Sequence, residues 1–77
     1  MRIAAVYTTG RTEATVEKRS DVLYVVSVEG RDRGFVERAG NVYVALWGHR
    51  YASAVEVMQT LDFDAAVERL TTLDQRP

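Results

Sequence analysis

The chain has no cysteine, so neither a disulfide framework nor thiol chemistry is open to it. A single histidine, His49, is nearly as limiting: without thiolates beside it, a zinc site of about four N or S ligands lacks a donor set. Proline occurs only at Pro77, and no linker, repeat or low-complexity tract divides the sequence, which is expected to form a single domain over residues 1–77. Long apolar runs are missing too. Nothing approaches the ~20 residues that span a bilayer, and Met1-Arg2-Ile3 leads directly into a strand-like pattern instead of a signal peptide's apolar stretch. The expected location is the cytoplasm, with no membrane association. Lysine and isoleucine are nearly absent, at Lys18 and Ile3 alone, with arginine and valine in their stead. That usage suits a high-GC genome, such as that of an actinobacterium or one of its bacteriophages.

What is present is the composition of a folded domain, with 47% hydrophobic and 27% charged residues among 77. A domain of this length buries only about 60–65% of the surface its unfolded chain exposes, which leaves it marginal on its own core. Without disulfides, the remaining sources of added stability are a metal, a partner or self-association. The formal net charge is −1; residues 1–50 carry eight Arg or Lys against six acids (+2), and residues 51–77 two against five (−3). This polarity is far weaker than the basic footprint of a protein that lives on phosphate backbone.

Turn signals recur at short spacing: Thr9-Gly10-Arg11, Arg19-Ser20-Asp21, Gly30-Arg31-Asp32, Gly40-Asn41 and Gly48-His49. Between them lie runs rich in Val, Tyr, Thr and Trp, which read as a meander of hairpins with strands near 2–8, 12–18, 22–29, 34–39 and 42–47. The stretch 51–59 fits two descriptions. Tyr51, Ala54, Val55 and Met58 share a helical face and Ser53 with Glu56 fits a capping box, whereas Val55 and Val57 favour a sixth strand, the reading preferred here. In the last element Phe63, Ala66, Val67, Leu70 and Leu73 follow a 3.6-residue period, with Asp62 at the N-cap and Asp64 at the positive end of the helix dipole. The expected fold class is therefore α+β: an antiparallel meander of five to six short strands with one C-terminal helix, 63–73, packed on the sheet.

A two-residue turn at Gly40-Asn41 sets the register of its hairpin. Arg38 then faces Tyr43, Val36 faces Ala45 and Gly34 faces Trp47 on one side; Ala39 with Val42, Glu37 with Val44 and Phe35 with Leu46 occupy the other. The bulkier second side is the expected seat of the helix, leaving Arg38, Tyr43 and Trp47 on the opposite side, with Arg31, Arg33 and Arg50 in adjacent turns. These six residues are the candidate site for a protein partner or nucleic acid, since aromatic rings beside guanidinium groups stack on bases or bury against a partner. Two other readings stay open: Tyr43 and Trp47 are covered by the N-terminal strands as the sheet curls and the arginines are solvated, or this side is a dimer interface. Strand 22–29 bears on the choice, because Val22, Tyr24, Val26 and Val28 lie on one face and Leu23 and Val25 on the other, so both faces expect cover. One helix covers one face; a curled sheet, a second copy or a partner must cover the other.

No catalytic constellation is visible, and the chain is expected not to be an enzyme and to carry no cofactor. His49 reads as an exposed turn residue, Asp62 and Asp64 as capping groups, and Glu13 with Glu17 as a solvated strand pair. Gly30 to Gly34 is too short for a phosphate-binding loop and lacks its Lys-Ser/Thr ending.

Residues 35–70, with Tyr43-Val44-Ala45 in the second strand of a hairpin, then Thr60 and Asp64-Ala65-Ala66 opening the helix, resemble in outline the three-strand-plus-helix DNA-binding domains of plant ethylene-response factors and of the arm-binding domains of tyrosine recombinases. The resemblance implies DNA binding through strands. The chain departs from it in having Val57-Met58-Gln59 where a Gly and an aromatic residue precede the threonine, and Val44 and Leu46 where the DNA-reading positions are polar or basic, so no base-contacting residue is carried over. The expectation is a small non-enzymatic interaction or regulatory protein that acts through its sheet on a protein partner and self-associates as a homodimer. The alternative is a nucleic-acid-binding module.

Overall fold

The computed structural model describes residues 4–9 and 12–73. Six strands form one antiparallel sheet in chain order: β1 (Ala4–Thr9), β2 (Thr12–Lys18), β3 (Leu23–Val28), β4 (Arg31–Ala39), β5 (Val42–Trp47) and β6 (Val55–Thr60). A single 3-10 turn, Tyr51–Ser53, joins β5 to β6, and the helix α1 (Phe63–Thr72) follows. The α+β meander with a C-terminal helix is thus the observed architecture, and 51–59 contains a strand. Gly10 and Arg11 of the expected turn Thr9-Gly10-Arg11 and the first residues of the expected strand 2–8 lie outside the described residues.

The β4–β5 register is the one counted from Gly40-Asn41, from Ala39 opposite Val42 to Gly34 opposite Trp47. The β3–β4 turn is tighter than expected. It consists of Glu29 and Gly30 alone, both at positive φ (54° and 79°), the two-residue geometry whose twist matches that of the flanking strands. Arg31 and Arg33 therefore belong to β4 and not to a turn.

Two irregularities bend the ladder. Between Val26 and Ser27 the pairing skips Arg33, and between Ala45 and Leu46 it skips Val57. Each extra residue kinks its strand and adds twist. The sheet consequently curls around α1, which touches all six strands although it is only about 15 Å long.

The helix sits on the opposite side from the one expected. It packs on the face carrying Val16, Val26, Val28, Val36 and Ala45, contributing Ala66, Val67 and Leu70, all buried. Close approach decides the side. Gly34 has no side chain, and Leu70 lies where a Cβ would be, within 2.8 Å of its ideal position; the carbonyl oxygen of Leu46 crowds the same point. On the other side, Phe35 and Leu46 at the matching positions would hold a helix off the backbone. Tyr24 and Tyr43 flank the helix instead, each edge-on to Phe63 at centroid distances of 4.8 and 5.3 Å. The rings expected to face away from the core are thus packed against it, and Tyr43 is covered by the helix, not by the N-terminal strands.

Asp62 caps α1 as expected, its carboxylate accepting from the Asp64 amide at 3.0 Å. Asp62→Ala should lower unfolding stability by about 1 kcal/mol, the usual cost of losing an N-cap, which thermal denaturation will read as a Tm lower by about 4–8 °C.

Candidate functional site

The six candidate residues do not form one site. Arg31, Arg33 and Trp47 meet in a groove of about 790 Å³ at one end of the sheet, where Val28, Glu29, Asp32 and His49 also line it. Arg33 is the extra residue of the β4 bulge, and its guanidinium lies 5.5 Å from the Trp47 ring centroid, a cation–π arrangement. Among the described residues neither Arg31 nor Arg33 has an ion-pair partner, while Asp32 accepts a hydrogen bond from the Ser27 hydroxyl at 2.9 Å. Arg38 stands at the far end of β4, donating from Nε to the Gly40 carbonyl at 3.1 Å. Tyr43 is beneath α1, and Arg50 is exposed in the β5–β6 connection.

The face turned away from the helix was not among the candidates. Its centre is apolar: Val25 and Phe35 are buried, and Leu23, Val42, Val44 and Leu46 are half-buried around them. Part of the cover comes from the chain itself. The 3-10 turn swings Tyr51 over this face, its ring edge-on to Phe35 at 5.7 Å and its hydroxyl 2.9 Å from each carboxylate oxygen of Glu37. This turn supplies a second layer over β4, and both Val25, beside Phe35 in the ladder, and Val26 are buried within one subunit.

The register also sorts charge by side. Ladder positions turned outward include Glu13, Glu17, Asp32, Glu37 and Glu56, and no Lys or Arg. The strand-borne cations Lys18, Arg31 and Arg38 pair with Tyr24, Val28 and Tyr43, whose side chains face the helix, and Arg33 joins them through Trp47. Arg19, in the β2–β3 turn, borders the outer face and is ion-paired with Glu17 at 3.2 Å. The signal that could have revealed this surface is the alternation of acids at outward positions once the parity of each strand is counted.

The Tyr51 hydroxyl titrates above its ordinary value of about 10: first because it donates to Glu37, then because of partial burial, then because of that carboxylate's charge. A phenol whose value is raised by folding favours the fold fully below its unfolded value, and loses that contribution as pH climbs through the folded one. The absorbance or NMR titration of Tyr51 should therefore have its midpoint above that of the unfolded chain, and Glu37→Gln should move it back down.

Comparison with protein-family models, with curated proteins and with solved structures finds no match. Among the described residues no helix is long and apolar enough to cross a membrane, and no three His, Cys, Asp or Glu are gathered as metal ligands.

Proposed function

We propose that this chain is a non-enzymatic interaction module that engages a protein partner through the outer face of its sheet. The observation that carries this reading is that α1, the one α-helix among the described residues, is committed to the inner face, while Leu23, Val42, Val44 and Leu46 remain half-buried on the other. An apolar centre with a polar rim is the anatomy of a protein interface. The five outward acids favour a protein over nucleic acid on this face, since phosphate backbone is repelled by carboxylates. They also oppose a homodimer that would bring two such faces together.

The test places a photo-cross-linking side chain at Gln59, which is exposed on the outer face opposite Val44, and a control at Glu68 on the exposed side of α1. In the producing cell, position 59 should give a discrete protein adduct that position 68 does not. No adduct at 59, or the same adducts at both, refutes the reading.

The groove supports a second reading, because two guanidinium groups without ion-pair partners beside an indole suit the nucleic-acid alternative. A salt titration of binding to duplex DNA decides it. Steep loss of affinity with ionic strength, abolished in an Arg31→Ala/Arg33→Ala variant, supports nucleic acid; no binding at low salt removes it.

A further inference from the structure

We infer that the partner presents a basic, amphipathic segment to the outer face: an apolar stripe that seats on Val44 and Leu46, flanked by lysines or arginines that meet Glu37 and Glu56. This rests on the reading of that face as a protein-docking surface and specifies the occupant. The argument is one of complementarity. Among the described strands the inner side of the sheet bears the cations and the outer side the acids, so the strand-borne charge around the apolar centre of the outer face is negative, with Arg19 at the far border held by Glu17. An incoming segment of opposite sign is steered to such a face, and one of like sign is repelled from it. A second copy is the wrong occupant on the same ground, because two-fold pairing of this face places Glu beside Glu.

Two features refine the fit. Glu37 is held by Tyr51, which fixes one carboxylate near the apolar centre, next to Val44 in the ladder. Glu56 stands across from Leu46 on the edge strand and accepts from Gln59 Nε2 at 2.8 Å, which leaves the other carboxylate oxygen for a cation on the incoming segment. A cationic side chain flanking an apolar residue seated on Leu46 would fall beside it.

The experiment uses the intact chain, isotope-labelled, titrated with two synthetic peptides of identical apolar spacing, one of leucine and lysine and one of leucine and glutamate. The lysine peptide should bind with shift changes centred on Val44, Leu46 and Glu56, and the glutamate peptide should not bind. A Glu37→Gln/Glu56→Gln variant should weaken the lysine peptide about tenfold at low salt, with a loss of similar size for the unaltered chain at ~1 M salt. Equal binding of both peptides overturns the inference, as does binding centred on Asp64 and Glu68 of the helix. If neither peptide binds while position 59 still cross-links to a protein, the basic segment is wrong and the docking face stands; if the cross-link is missing too, both fall. A dimer in sedimentation at neutral pH, dissolved by Val44→Arg, would make a second copy the occupant and overturn the inference as well.

Discussion

Leu70→Ala is expected to lower the unfolding free energy by about 3–5 kcal/mol, measured by urea denaturation followed by circular dichroism. Leu70 is fully buried and lies at the centre of the helix–sheet contact, directly over Gly34. Truncation removes apolar area and leaves a cavity whose walls are strands held by their own ladders, so relaxation into it is limited. A domain of 77 residues has a total stability of roughly 4–12 kcal/mol, so one such change takes a large share. Retention of nearly full stability would mean that the helix is not held to the sheet by this side chain.

Gly34→Ala should be of comparable size, about 2–4 kcal/mol, for the opposite reason: it adds an atom where there is no room. The new Cβ meets both Leu70, a side chain that can shift, and the Leu46 carbonyl, a backbone group held in the β4–β5 ladder. The two substitutions are therefore coupled. In a Gly34→Ala/Leu70→Ala double variant the side-chain clash disappears and the Cβ partly fills the cavity, while the carbonyl clash persists. The double-mutant cycle should show a total loss below the sum of the single losses by about 1 kcal/mol or more. Strict additivity would show that Leu70 and Gly34 do not share the contact assigned to them.

Much of this fold is legible in the sequence because its turns are short. Gly40-Asn41 permits only one register for β4 against β5, and Asp62 with the period of Phe63, Ala66, Val67 and Leu70 bounds the helix. The side that receives the helix is harder to read, because both faces of the hairpin are apolar and bulk points the wrong way. Phe35, Val44 and Leu46 offer more hydrophobic area, yet Gly34, Val36 and Ala45 let the helix axis come nearer, and close approach decides. Arg33 shows a second limit. Alternation assigns a side only while the ladder stays in phase, and the bulge at Arg33 sends its side chain to Trp47 regardless of parity. The candidate site divides for the same reasons: Arg31, Arg33 and Trp47 converge beside the bulge, whereas Tyr43 lies beneath the helix that bulk had placed elsewhere. The acidic outer surface becomes visible only when every strand's phase is known, since its five carboxylates come from β2, β4 and β6 and form no run in the sequence.

The separation of strand-borne carboxylates from guanidinium and ammonium groups has an electrical consequence. Along the normal of the sheet the strand-borne charges are therefore divided, carboxylates outward and cations toward the helix, where Asp62, Asp64 and Glu68 oppose the cations. Near a polyanion such as a nucleic acid or an acidic lipid layer, the outward carboxylates disfavour contact through the face that carries Val44 and Leu46. Adsorption to a negatively charged support would thus leave the outer face free, and adsorption to a positively charged one would cover it.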